Sequence, residues 1–141
     1  MKQTIGRIDK VDFPLLDLHE IAVKIDTGAY TSSIHCKNVK EENSVLKCDF
    51  LDEEHPNYHG KEILFTNFET TKVKSSNGIV QNRYKIKTEI ILFGETHEIL
   101  LTLSDREEMK FPVLLGRKFL NKKYIVDTNL ANLSFKRKQI K

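Results

Sequence analysis

The sequence predicts an all-β protein whose strands form a small closed or partly closed β-barrel. Short stretches of alternating apolar and polar residues recur along the chain, turn-forming residues separate them, and helix signals are scarce. Many short strands with turn signals between them are typical of small barrels and sandwiches. The length of 141 residues suits one domain with a modest core.

The strand signals follow one another along the chain. The segment IAVKI, residues 21–25, ends at an Asp-Thr-Gly turn. Asn77-Gly78 is the strongest short hairpin signal, because both turn positions take positive φ, and it predicts a hairpin over about residues 73–80. Two further strands are predicted around Gly94-Glu95. The residues expected on one face of each are Tyr84, Ile86, Thr88, Ile90 and Leu92 in the first and Ile99, Leu101 and Leu103 in the second.

Only one helix is predicted, a short one after Gly116 that covers about residues 117–120. A second Asp-Thr pair occurs at Asp127-Thr128-Asn129, within YIVDTNLANLSF. This turn lacks the glycine of the first, and we interpret it as a strand-to-strand turn.

Two segments fall outside this regular pattern. Residues 40–67 are polar and contain DEEHPNYHG, whose Pro56 and Gly60 mark a loop, so the segment is predicted to be an insertion loop between strands. The single domain is expected to cover residues 1–135. A basic flexible tail is expected over residues 136–141.

Composition excludes several classes of partner. The formal net charge of +3 is too small to indicate a polyanion, so no nucleic-acid partner is expected. No apolar run approaches the roughly 20 residues that a membrane span needs, and MKQTIGRIDK has no apolar segment of a signal peptide. Cys36 and Cys48 suit a reducing compartment as isolated small residues. We therefore expect a cytoplasmic protein without a membrane partner.

The Asp-Thr-Gly turn is a candidate catalytic element. Hydrolysis of a peptide without a metal or covalent nucleophile needs one carboxylate to activate water and a second, protonated carboxyl to polarise the carbonyl. Two close carboxyls share one proton, since both cannot ionise together. Asp26 would supply such a carboxyl, Thr27 a hydroxyl and Gly28 a tight backbone. Asp, Thr and Gly are also common turn residues, so the tripeptide alone leaves a purely structural turn open.

A second element accompanies this turn. The segment FPVLLGRKFL places apolar residues before Gly116-Arg117, and VKSSNGIV lies between the two elements. Together with IDTGA they resemble the signatures of the retropepsin-like aspartic peptidases, in which the apolar-Gly-Arg segment packs against the catalytic turn and a β-hairpin flap lies between them. KIDTGAYTSSIHC, VKSSNGIVQNR, LTLSDREEMKFPVLLGR and YIVD resemble more closely the bacterial family labelled ATP-dependent zinc protease. The resemblance runs from about residue 5 to 135.

This resemblance implies a retropepsin-type barrel and a role for specific residues. The implied catalytic residues are Asp26, Thr27 and Gly28. The implied substrate-binding residues are Ala29 and the flap tip, Ser75, Ser76, Asn77 and Gly78. The implied polar network beside the turn consists of Asp105, Arg106 and Arg117. For these last three, a structural ion-pair or capping network is the alternative.

The chain departs from viral retropepsins at one position of the turn. They place an acid after Asp-Thr-Gly-Ala, where this chain has Tyr30. The usual ion pair with the arginine of the Gly-Arg segment is therefore not expected.

No metal or cofactor is expected. The six glycines form no phosphate-binding loop, and there is no His-Glu-x-x-His. His55 and His59 are spaced as a ligand pair with Cys48, Glu53 or Glu54 nearby, but Pro56 argues against a helix that presents both on one face. A metal hydrolase remains an alternative.

A single Asp-Thr-Gly can form a carboxyl pair only when two copies meet across a twofold axis. The sequence therefore predicts a homodimeric aspartic endopeptidase that acts on a peptide or isopeptide-like amide of a peptide or protein substrate. The other hypothesis is a non-catalytic peptide-binding module associated with glutamate ligases of the ATP-grasp class, which the resembled family accompanies.

Overall fold

The computed structural model describes residues 2–74, 78–104 and 111–139. Strands dominate these ranges, and helices are few and short. The strands are β1 Gln3–Ile5, β2 Ile8–Phe13, β3 Leu18–Ile25, β4 Ser32–Glu42, β5 Val45–Phe50, β6 Glu62–Phe65, β7 Glu69–Lys74, β8 Val80–Leu92, β9 Glu95–Ser104, β10 Val113–Leu115 and β11 Tyr124–Val126. The helices are α1 Arg117–Leu120, α2 Leu133–Gln139 and a 3₁₀ turn at Pro14–Leu16.

Six strands close into a barrel in the order β10, β3, β2, β8, β9, β4, with β4 returning to β10. The short strand β10 makes the closure, because Val113 pairs in parallel with Val23 of β3 and antiparallel with Ile34 of β4. Closure removes the exposed sheet edges that an open sheet of this size would present. The predicted all-β barrel is confirmed.

The β8–β9 hairpin confirms the predicted strand faces. In β8, Ile86, Thr88, Ile90 and Leu92 are buried, and in β9, Ile99, Leu101 and Leu103 are buried. The turn consists of Phe93 and Gly94, whose φ values are 53° and 74°. It therefore lies one residue before the predicted Gly94-Glu95, and Glu95 already belongs to β9.

The predicted insertion loop over 40–67 is wrong for much of its length. Residues 45–50 form β5, and residues 62–65 form β6. Leu46, Cys48 and Phe50 have no exposed surface, because VLKCDF alternates with a period of two and its apolar residues point into the core. The long strand β4 extends beyond the barrel and pairs with β5, which carries β6 at its other edge.

A second helix, α2, occupies the C-terminal region. Residues 136–139, which were expected to belong to a flexible tail, continue this helix. The buried Asp9 carboxylate accepts hydrogen bonds from the N–H groups of Ser134 and Phe135 at 3.0 and 3.1 Å. Asp9 lies in β2, so these bonds cap the start of α2 and attach the helix to that strand. Asp127-Thr128-Asn129 therefore joins β11 to a helix, and the predicted strand-to-strand turn is wrong.

The predicted flap corresponds to the β7–β8 hairpin, in which Lys74 pairs with Val80. Gly78 has a φ of +84°, a value that favours glycine. Ser75, Ser76 and Asn77 lie outside the described residues, as do Asp105 and Arg106. Within the part of the chain that the structure describes, no helix has the length and apolarity needed to span a bilayer.

Candidate active site

The Asp-Thr-Gly turn begins where β3 leaves the barrel. The Asp26 N–H donates to Leu115 O at 2.9 Å, which continues the β3–β10 pairing by one residue. The turn closes through Ala29 N–H, which donates to Asp26 O at 3.2 Å. The Gly28 N–H donates to Asp26 Oδ1 at 3.0 Å. The carboxylate is therefore oriented by the backbone of its own turn.

The Gly116-Arg117 segment packs against this turn, as the resemblance implies. The Arg117 N–H donates to Ala29 O at 2.8 Å, and the Lys118 N–H donates to Tyr30 O at 2.9 Å. A Cβ atom at Gly116 would lie 2.5 Å from Thr31 O, closer than such atoms approach. Only glycine permits this contact between segments that are far apart in the sequence.

The Arg117 side chain also contacts the turn. Its Nη1 donates to Thr27 O at 3.0 Å, and its guanidinium lies 5.8 Å from the centre of the Tyr30 ring. At the position where viral retropepsins place an acid, this chain offers the arginine an aromatic ring, which attracts a cation through its negative face. Arg117 thus supports the backbone that carries Asp26.

The turn forms part of the protein surface. Thr27 and Gly28 are exposed and Asp26 is half-buried. In the described ranges, Asp26 Oδ2 has no hydrogen-bond partner. Gly28 does not have positive φ, and a Cβ atom there would meet only Asp26 Oδ1, at 3.4 Å, an ordinary contact distance. The fold of the single chain therefore does not require glycine at this position.

A second turn of the same construction lies elsewhere in the chain. The Asp127 N–H donates to Ile5 O at 2.9 Å, the Asn129 N–H donates to Asp127 Oδ1 at 3.0 Å, and the Leu130 N–H donates to Asp127 O at 3.1 Å. The same three bonds form the Asp26 turn. The first turn follows β3, which pairs in parallel with β10, and β10 ends directly before Gly116-Arg117. The second turn follows β11, which pairs in parallel with β1, and β1 ends directly before Gly6-Arg7.

Sequence reasoning missed this repeat, although its signal is present. Gly6-Arg7 and Gly116-Arg117 both follow an apolar residue, and Asp-Thr occurs at 26 and again at 127. A Cβ atom at Gly6 would lie 2.3 Å from Leu130 O, as one at Gly116 would lie too close to Thr31 O. Within the chain, the Arg7 backbone links the two turn regions, because its N–H donates to Leu130 O and its O accepts from Ile25 N–H.

The histidines of the metal alternative have structural contacts. His59 Nε2 lies 3.0 Å from Leu16 O, and His59 Nδ1 accepts from Lys61 N–H at 3.0 Å, so both ring nitrogens are occupied. His55 Nε2 lies 3.9 Å from Asp52 Oδ1. Among the described residues, no three His, Cys, Asp or Glu side chains are grouped as a metal site would require.

A partly buried hydrogen bond between His35 and Asp52 fixes the loop after β5. His35 is 1% exposed, and its Nε2 lies 3.0 Å from Asp52 Oδ2. Burial raises the pKa of Asp52, but the Glu54 N–H and the neighbouring His55 and His35 outweigh it and hold this pKa below its usual value. Asp52 is therefore a structural carboxylate that links the loop to β4.

The buried Cys48 is not a reactive thiol. Burial, followed by the negative charges of Asp49 and Glu62, raises its pKa to about 12. The thiol is therefore protonated at neutral pH, and Cys48 acts as a small core residue.

Comparisons with known proteins agree with this architecture. The family model described as "RimB-like: Retropepsin-like aspartic endopeptidase RimB" matches residues 4–137. A "Probable alpha-L-glutamate ligase" from Shewanella halifaxensis is 34% identical over 130 residues, which cover 89% of this chain and 28% of that protein. A protein of the same name from Desulfotalea psychrophila is 31% identical over 133 residues, which cover 92% and 29%. The chain thus spans less than a third of the length of these relatives.

A solved structure provides a separate comparison of the fold. A protein of unknown function from Legionella pneumophila superposes with a TM-score of 0.70 at 23% identity, over 95% of this chain and 99% of that chain. The family match covers nearly the whole chain, including both elements of the candidate site. The chain belongs to the RimB-like family of retropepsin-like aspartic endopeptidases.

Proposed function

We propose that this protein is an aspartic endopeptidase whose catalytic pair consists of Asp26 from each of two chains. The observation that carries the proposal is the state of the Asp26 carboxylate. One oxygen is held by the Gly28 N–H on a surface turn, and the other has no partner within the described residues. Such a group is oriented but incomplete, and a second copy related by a twofold axis would complete it.

The glycine of the turn supports the same proposal. A residue with a Cβ atom would fit at position 28 within one chain, since the closest atom would be 3.4 Å away. The open space beside Gly28 is therefore available to another molecule. In the proposed enzyme, the turn of the second chain and an extended substrate both need the space beside Gly28.

The chemistry follows from two carboxyls at short distance. They share one proton near the working pH, so one carboxylate removes a proton from water while the protonated partner donates a hydrogen bond to the scissile carbonyl. The water oxygen attacks the carbonyl carbon, and the carboxyl that accepted the water proton then gives it to the amide nitrogen. The C–N bond breaks, which releases the amine and a new carboxyl group. In this proposal Thr27 contacts the partner turn, Arg117 holds the turn backbone, and Ala29 and the flap tip, residues 75–78, bind substrate.

The names of the relatives suggest the class of substrate. Since these longer proteins are named alpha-L-glutamate ligases and carry a region similar to this chain, we propose that the scissile amide lies in a peptide rich in glutamate. The same names favour a second candidate function, a non-catalytic module that binds such a peptide for a ligase.

The decisive experiment compares Asp26→Asn with wild type on a glutamate-rich peptide, with cleavage followed by mass spectrometry. Asp26→Asn keeps the shape of the side chain, but an amide can neither take a proton from water nor share one with a partner carboxyl. Hydrolysis should therefore be abolished, while the fold and the dimer persist. Activity of the wild type should fall on both sides of an acidic to near-neutral optimum.

The second Asp-Thr turn provides a matched control. Asp127→Asn makes the same chemical change in a turn with the same backbone hydrogen bonds, and we expect it to retain activity. The binding-module function predicts no turnover by wild type and unchanged peptide affinity in Asp26→Asn. Wild-type rates in Asp26→Asn would contradict the peptidase proposal, and sedimentation equilibrium would test the dimer directly.

A further inference from the structure

The fold gathers positive charge on one side of the barrel, around two adjoining grooves. The first groove, of about 220 Å³, lies between α1 and the β8–β9 hairpin and is lined by Lys85, Lys87, Lys118 and Lys123. The second, of about 370 Å³, shares Lys123 and adds Lys2, Lys122 and Arg137. We call these seven side chains the basic face.

Few negative charges of the described residues offset the basic face. Among the residues of the described ranges that line the two grooves, the carboxylates are Glu98 and Glu95. The positive excess around the grooves is therefore larger than the formal net charge of +3 for the whole chain. The modest net charge conceals a strongly asymmetric distribution, and such a face attracts and orients anionic partners.

Five of the seven cations of the basic face are exposed, whereas Lys85 and Lys123 are half-buried and the Lys123 ammonium donates to Phe119 O at 3.1 Å. The Lys87 ammonium lies 3.6 Å from Glu98, but the two side chains are 62% and 74% exposed. An exposed pair of this kind contributes little and exchanges readily for another carboxylate. Lys118, Lys122 and Arg137 are exposed as well.

We propose that the basic face is a docking surface for an acidic segment of polypeptide, separate from the catalytic turn. The choice of an acidic occupant follows from charge complementarity, because seven cations and two carboxylates line the described grooves. Six of these cations are lysines, which act as point charges on flexible side chains and attract carboxylates without a fixed planar geometry. The Phe119 and Tyr124 rings in the groove walls are 5% and 9% exposed, and Lys123 lies 5.0 Å from the Phe119 ring centre. They offer little open ring surface for stacked nucleic-acid bases.

The position of the face connects it with the candidate active site. Thr31 and Ser32 line the first groove and directly follow the Asp-Thr-Gly-Ala-Tyr turn. An extended acidic segment held in the groove would therefore lead towards Asp26. Its role as a substrate-holding surface rests on the proposed peptidase function, whereas the binding itself does not.

The test measures binding rather than cleavage. A fluorescein-labelled glutamate-rich peptide is titrated with the Asp26→Asn protein, and affinity is read from fluorescence anisotropy. Lys85→Glu/Lys87→Glu should weaken binding by roughly tenfold or more, because two attractive pairs become repulsive. Lys37→Glu/Lys40→Glu makes the same change of charge at exposed lysines on the distal part of β4 and should have little effect.

Several results would overturn the proposal. Equal weakening by both double variants would indicate attraction to overall charge, and absence of peptide binding at low salt would exclude the surface. Tighter binding of a single-stranded RNA of matched charge, with dependence on the same lysines, would assign the face to nucleic acid. In the Asp26→Asn variant with all lysines intact, changes of amide chemical shift on addition of the peptide would show where the peptide binds. Changes confined to other faces of the protein would also contradict the proposal. Failure of the wild type to cleave would refute only the peptidase proposal.

Discussion

Gly28 and Gly116 both belong to the candidate site, but they are glycines for different reasons. A Cβ atom at Gly116 would lie 2.5 Å from Thr31 O and 2.7 Å from Tyr30 O, and these backbone atoms cannot move without breaking the turn. We predict that Gly116→Ala lowers the free energy of unfolding by about 1–3 kcal/mol, the usual cost of overpacking. Chemical denaturation of the monomer at low protein concentration measures it.

Gly28→Ala provides the contrasting half of this prediction. The added Cβ atom would meet Asp26 Oδ1 at 3.4 Å, so the unfolding free energy of the monomer should change by less than about 0.5 kcal/mol. The same variant should impair dimer formation and hydrolysis, because the space beside Gly28 is the space that the proposed partner turn occupies. Loss of monomer stability with normal dimerisation would contradict this interpretation.

The helix α2 depends on one buried carboxylate. Asp9 is 1% exposed, and its oxygens accept the N–H groups of Ser134 and Phe135 at the first turn of the helix. We predict that Asp9→Ala destabilises the protein by about 1–2 kcal/mol, the upper range for loss of a helix cap. In the Asp9→Ala variant, hydrogen exchange should accelerate more at the amides of residues 134–139 than at the amides of β8 and β9.

A surface carboxylate serves as the control for this element. Glu42 lies 3.6 Å from Lys47, and its side chain is 58% exposed. Glu42→Ala should therefore change stability by less than about 1 kcal/mol and leave exchange in α2 unaltered. Equal effects of the two variants would show that Asp9 is not specific to the helix.

The stability of the whole molecule should depend on pH through Asp52. The folded state holds the pKa of this carboxyl below its ordinary value of 3.8, so ionised Asp52 stabilises the fold at neutral pH. A depressed pKa means that this stabilisation is lost as the pH falls through the ordinary range of aspartate towards the lower folded value. We predict that wild type is more stable than Asp52→Asn at neutral pH and that the difference shrinks on acidification to about pH 3.

Urea unfolding of the two proteins across this pH range measures the difference. The surrounding groups are His35, His55 and the Glu54 N–H, and each favours the ionised carboxyl. Circular dichroism at each pH separates loss of stability from local rearrangement of the loop after β5. A difference that is independent of pH would contradict the assignment of Asp52 as a stabilising anion.

Local chemistry explains which elements the sequence alone predicts. The hairpins were predictable, because Asn77-Gly78 lies in the connection between β7 and β8, and Gly94 takes the positive φ that its turn needs. The strand VLKCDF shows an equally clear alternation, but the polar residues on both sides of it favour a loop, and the loop prediction was wrong there. The α2 helix had no such local signal, since its cap is Asp9, far away in the chain.

The order of the motifs, the all-β class and the resemblance to retropepsins are properties of the chain itself. They depend on the period-two alternation of apolar residues and on turn conformations, both of which act over a few neighbouring residues. The closure of the barrel by β10 and the contact of Arg117 with Thr27 depend instead on segments 79 to 90 residues apart in sequence. So do the long-range hydrogen bonds that anchor the two Asp-Thr turns, whose repeated residues are themselves visible in the sequence, and the concentration of lysines on one face. These features arise only when burial of the core brings distant strands together, because no local preference specifies which strand pairs with which.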